Sequence, residues 1–96
     1  MIITNAIITA YCIASSSHNR CADGKHFPLP QHTIAIGDRS TIPLGAVVMW
    51  KGQRFVGEDR MNKRFDGTHR FDVFVSSKKE ARKFGIKRNQ TIIIGE

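Results

Sequence analysis

Apolar residues in this chain come in short bursts broken by polar turns, and a helical pattern emerges only in the last quarter. Residues 7–11, Ile-Ile-Thr-Ala-Tyr, are rich in β-formers and predict a buried strand that ends at Cys12. Residues 33–36 predict a short strand closed by a Gly37-Asp38-Arg39-Ser40 turn, and Ile42-Pro43-Leu44-Gly45 predicts a tight apolar turn. Residues 46–50 and 53–56 flank Lys51-Gly52 and predict a hairpin, whose second strand runs into the charged stretch Gly57-Glu58-Asp59-Arg60. Residues 71–75 and 89–94 predict two more strands. Between them, Ser77 with Glu80 three residues later forms a capping-box pattern, and Gly85 supplies a stop, which together predict one short helix. Residues 15–31, with a serine run, Gly24, Pro28 and Pro30, show little periodicity and predict a long loop. About six short strands and one helix make a mainly-β chain. The expected architecture is a small six-stranded β-barrel forming a single domain over residues 1–96.

Composition narrows this picture. At 96 residues the chain holds one core with little to spare, and 41% hydrophobic against 24% charged residues is the balance of a globular protein rather than a disordered one. No apolar run reaches the roughly 20 residues that a membrane span needs. The apolar start lacks a basic leader and a clear cleavage site, so it reads as a strand of the fold. Fifteen Lys and Arg against eight Asp and Glu give a net charge of +7, concentrated late in Lys63, Arg64, Lys78, Lys79, Arg82, Lys83, Lys87 and Arg88. That balance suits polyanionic partners, and it equally suits a solvated basic face kept for solubility.

Three aspartates stand at strand ends and turns: Asp38, Asp59 and Asp72. Cleaving a glycosidic bond needs a carboxylic acid that is still protonated near neutral pH, and burial or a second carboxylate nearby raises a carboxyl pKa. Asp72 has apolar sequence neighbours in Phe71, Val73 and Phe74, while Arg60 and Arg70 could grip a substrate's carboxylates. On residue chemistry alone a structural account weighs more: Asp38 caps a turn, Asp59 pairs with Arg60 or Arg70, and Asp72 is an edge-strand charge. Cys12, His18, Cys21 and His26 could together hold a metal ion, but their spacing matches no compact zinc pattern. A Cys12–Cys21 disulfide and free thiols both remain open. His69 could tune Asp72 or contact substrate, though a surface histidine fits as well. Trp50 and Phe55 read as core, and Phe65, in a polar loop, reads as an exposed platform for a sugar ring.

Five motifs then fall in a familiar order: Thr9-Ala10-Tyr11-Cys12, Ile34-Ala35-Ile36 leading to Asp38, Ile42-Pro43-Leu44-Gly45, Gly57-Glu58-Asp59-Arg60, and Arg70-Phe71-Asp72-Val73. From about Thr9 to its end the chain resembles the 3D domain, named for three aspartates. That domain is found in Firmicute cell-wall enzymes of the stationary-phase survival type and in the membrane-bound lytic transglycosylase A family. The resemblance implies a double-psi β-barrel and lytic cleavage of peptidoglycan between N-acetylmuramic acid and N-acetylglucosamine, with no cofactor. It puts Asp72 on the catalytic acid, Asp38 and Asp59 on two supporting aspartates, and Thr9 and Tyr11 on a strand lining the substrate groove. Arg60, Arg70 and Phe65 are the further substrate contacts expected. The chain departs from the pattern at Gly37, an extra residue before Asp38. A second departure is residues 61–69, which replace a glycine-rich stretch; both fall in loops bordering the cleft and bear on substrate preference.

Two other readings compete. A non-catalytic wall-binding barrel of the expansin kind would share the fold without the chemistry, although such a module has no need of all three aspartates. Nucleic-acid binding would draw on the net charge of +7, but it calls for exposed aromatics among the basic residues, and the helix offers only Phe84. The expected partner is therefore the peptidoglycan glycan strand, met by a monomer with no membrane span at the extracellular or periplasmic wall. A phage lysin, a tail-associated protein and a domain of a larger secreted enzyme are all compatible with the sequence.

Overall fold

A computed structural model of the chain describes residues 1–12, 27–38 and 40–95. Six strands, β1 (Ile2–Tyr11), β2 (Thr33–Ile36), β3 (Val47–Trp50), β4 (Gln53–Arg60), β5 (Arg70–Phe74) and β6 (Lys87–Gly95), close into a barrel in the order β1-β5-β2-β4-β3-β6. One helix, α1 (Lys78–Phe84), lies between β5 and β6. The pairs β1/β5 and β2/β4 are parallel and the other four are antiparallel, so this is a mixed barrel and not a chain of hairpins. The six-stranded, mainly-β expectation holds, as does the position of the helix.

Alternation along the strands fills the interior. Ile8, Ile34, Ile36, Val48, Phe71, Val73 and Ile92 are wholly buried, and Phe55 and Trp50 join them as expected of core aromatics. Trp50 also gives its indole N–H to Gln90 Oε1 at 3.0 Å, which satisfies the one polar group that its burial would strand. The Lys51-Gly52 turn has φ of 50° and 74°, the two left-handed positions that a tight two-residue hairpin requires. Ser77 Oγ accepts the Glu80 N–H at 3.2 Å, and Gly85 ends α1 at φ 70° with its N–H on the Ala81 carbonyl.

Three strands are longer than the hydrophobic pattern predicts; β6 gains only Lys87, Arg88 and Gly95 at its ends, and the other two extend further. β1 begins at Ile2 rather than Ile7, because its pairing with β6 continues through two register irregularities between Ile3 and Ile8, where Asn5 takes φ 55°. β4 continues through Gly57-Glu58-Asp59-Arg60, so these residues form strand and not loop. Its polarity hides the strand in the sequence, because backbone pairing, not side-chain hydrophobicity, extends it.

A bulge in β4 positions the chemistry. Between consecutive pairings β2 advances from Thr33 to Ala35 while β4 advances from Val56 to Asp59, one residue more. Gly57 sits in this bulge against the core: a Cβ there would come within 2.2 Å of Ile36 Cδ1 and 3.3 Å of the Ala46 carbonyl. The Ile42-Pro43-Leu44-Gly45 turn docks on the same point. The Gly45 N–H bonds the Gly57 carbonyl at 2.9 Å and the Gly57 N–H bonds the Ala46 carbonyl at 2.8 Å.

Candidate functional site

Asp72 lies between Phe71 and Val73, both wholly buried in the barrel. By alternation its side chain faces the outer wall. The apolar sequence neighbours therefore point away from the carboxylate and do not account for its burial. Thr9 of β1 is its register partner on one side and Ala35 of β2 on the other, and Ala35 in turn pairs with Asp59 of β4. Thr9, Asp72, Ala35 and Asp59 thus form one row across four neighbouring strands. With strands about 4.8 Å apart, the Asp72 and Asp59 backbones lie roughly 9–10 Å from one another, with the small Ala35 between them.

Hydrogen bonds define what each carboxylate can do. Thr9 Oγ1 donates to Asp72 Oδ1 at 2.7 Å. Burial pushes the Asp72 carboxyl above the ordinary carboxylate range. The Thr9 bond and then the charge of Arg70 oppose this, and the Asp59 charge adds to it. Asp59 accepts the Tyr11 hydroxyl at Oδ2 (2.9 Å) and the Arg60 backbone N–H at Oδ1 (2.9 Å). Since Tyr11 follows Thr9 by two residues and shares its face, the Tyr11–Asp59 bond spans the outer wall over β5 and β2. Edge contact with Phe74, ring centroids 5.3 Å apart, steadies the phenol.

Asp38 is placed differently. It is 1% exposed, and both its oxygens go to one residue: the His69 backbone N–H at 3.0 Å on Oδ1 and His69 Nδ1 at 2.8 Å on Oδ2. His69 has φ 54°, a left-handed conformation that a non-glycine residue holds only when something fixes it. Its carbonyl accepts the Ile7 N–H at 2.9 Å, and the Gly37 N–H bonds the Arg70 carbonyl at 2.9 Å. Asp38 therefore clamps the turn that starts β5, rather than joining the row that contains Asp72 and Asp59.

Of the remaining expected contacts, Arg60 and Arg70 are both half-buried at strand ends, and the Arg70 Nε is buried without a hydrogen-bond partner among the described residues. Phe65 is not the open platform expected. It lies on a 3-10 turn (Lys63–Phe65), half-buried, with the guanidinium carbons of Arg64 and Arg70 each 4.8 Å from its ring centroid, so cations already occupy it. Asp66 ties this rim to the Asp38 turn by accepting the Ser40 N–H at 3.1 Å and hydroxyl at 3.2 Å. The sequence of residues 61–69 gave no sign of that link. Nor did the sequence give weight to Glu58, which is 6% exposed and takes the buried Thr33 hydroxyl at 3.0 Å, with His32 Nε2 3.7 Å away. Separations of 25 and 26 residues leave no local signal for either pair.

The proposed metal and disulfide partners His18, Cys21 and His26 lie outside the described residues. Cys12 is half-buried against the core, and no group of three His, Cys, Asp or Glu residues among the described ones could hold a metal ion. No described helix is long and apolar enough to cross a membrane. A cavity of 560 Å³ lined by residues including Met1, Pro43, Leu44 and Ile94 contains none of the carboxylates. Neither any protein-family model nor any curated protein matches the chain.

Proposed function

We propose that the chain is a lytic transglycosylase that cuts the β-1,4 bond between N-acetylmuramic acid and N-acetylglucosamine in peptidoglycan, acting at the cell wall. The observation that carries this reading is Asp72: a half-buried carboxyl with raised pKa, facing the outer wall beside Thr9, with a second carboxylate one strand beyond its neighbour. A raised pKa keeps part of the Asp72 population protonated at a pH where ordinary carboxylates have lost the proton.

Asp72 gives its proton to the glycosidic oxygen as the bond from that oxygen to the muramic C1 breaks, and the N-acetylglucosamine leaves with a free 4-hydroxyl. The muramic 6-hydroxyl closes on C1, and its proton passes to the Asp72 carboxylate, which restores the acid. No water is consumed. One carboxyl serves both steps, so a second catalytic carboxylate at hydrolase spacing is not required. Asp59 is held by Tyr11 and its own strand's N–H; its part is to supply negative charge that favours the protonated acid and the developing positive charge at C1.

The test is incubation with purified peptidoglycan followed by mass spectrometry. Anhydro-muropeptides support the lytic reaction, new reducing ends mean a hydrolase, and retention on the wall without products means a binding barrel.

A further inference from the structure

We infer that Thr9, expected from the sequence only to line the groove, is the positioning residue that divides the labour between the two oxygens of Asp72. Its hydroxyl holds Oδ1 and leaves Oδ2 to carry the proton. The inference rests on the proposed acid role of Asp72, and its basis is geometry.

Thr9 Oγ1 is 2.7 Å from Asp72 Oδ1 and 3.4 Å from the Phe71 carbonyl. A hydroxyl has a single hydrogen, and the shorter distance gives it to the carboxylate. Oδ2 has no hydrogen-bond partner among the described residues, so it is the oxygen open to a glycosidic oxygen. Register fixes this arrangement: Thr9 is paired with Asp72 in the parallel β1/β5 ladder, and χ1 of a β-branched residue is stiff, so the hydroxyl does not wander.

The two states of the acid use the bond unequally. Ionised Asp72 is a strong acceptor, and the Thr9 bond shortens the energetic distance to proton release. Protonated on Oδ2, it leaves Oδ1 a weaker, carbonyl-like acceptor, and the Thr9 hydrogen can be shared with the Phe71 carbonyl. The hydroxyl thus follows the charge on Asp72 while keeping the proton on the oxygen that faces substrate.

The experiment compares wild type, Thr9→Val and Thr9→Ser by two readouts: the pH profile of glycan cleavage, and carboxyl carbon NMR titration of Asp72 without substrate. Thr9→Val keeps the branched shape and loses the hydroxyl. It should move the Asp72 titration and the alkaline limb of activity upward by about one pH unit and lower kcat about tenfold at the optimum. Thr9→Ser should restore both. If Thr9→Val lowers kcat but leaves the titration in place, or if Thr9→Ser behaves as Thr9→Val does, the inference is overturned. The NMR arm needs no turnover, so a titration that moves as expected while wild type releases no product contradicts the lytic reading and leaves the Thr9 bond standing.

Discussion

Asp38 and Asp72 are the same side chain set into two regions of one barrel, and the fold satisfies them in opposite ways. Asp38, 1% exposed, has both oxygens bonded to His69 and is closed off from solvent. Asp72, half-buried, has one oxygen held by Thr9 and the other without a hydrogen bond among the described residues, with burial driving it toward its protonated form. Under the proposed reading the fully paired carboxylate serves the fold, and the half-paired one in poor solvent is the proton donor. Asp59 stands between them in kind: it is paired through Tyr11 but set in the same row as Asp72, where its charge is felt.

The largest expected contrast comes from Asp72→Asn. Cleavage should fall by roughly 10²- to 10⁴-fold while circular dichroism stays unchanged. The same variant should be more stable than wild type at neutral pH. The folded-state pKa of Asp72 is raised, so its ionisation at neutral pH costs stability, and asparagine imitates the protonated form while still accepting from Thr9. Below the ordinary carboxylate pKa both states of the wild type are protonated, and the advantage should vanish. Thermal melts across that range check the sign.

The clamp should break as structure. Asp38→Ala takes the acceptor from the His69 backbone N–H and should cost about 1–3 kcal/mol in denaturant unfolding. Asp38→Asn should cost less, because the His69 ring can change tautomer and accept from the new amide. Gly57→Ala should cost about 1–3 kcal/mol, since the added methyl runs into Ile36 in the β4 bulge that aligns Asp59 with Ala35. Asp59→Asn should make the smallest change. Removing a charge that raises the Asp72 pKa should move the alkaline limb of activity slightly downward, opposite in direction to Thr9→Val.

Much of the barrel was legible because its inner face obeys period two: Ile34 and Ile36, Phe71 and Val73 announce themselves as strands. The helix was legible through Ser77, Glu80 and Gly85, whose cap contacts are local. Neither principle reaches the polar end of β4, where pairing with β2 extends a strand that carries Glu58 and Asp59. The aspartates could be nominated but not sorted. What separates Asp38 from Asp72 is a partner 31 residues away in His69 and one 63 residues away in Thr9, supplied by the antiparallel β2/β5 and parallel β1/β5 registers between distant strands. Phe65 failed for a related reason: a ring in a polar loop looks open until Arg70, from the next strand, is folded onto it.

The comparison turns most directly on one assay: peptidoglycan digested in parallel by wild type, Asp72→Asn and Asp38→Asn, each shown to be folded at the assay temperature, with anhydro-muropeptides counted by mass spectrometry. The account predicts anhydro products from wild type and, per folded molecule, from Asp38→Asn, and none above background from Asp72→Asn. Undiminished products from Asp72→Asn, or a folded Asp38→Asn that makes none, would contradict it.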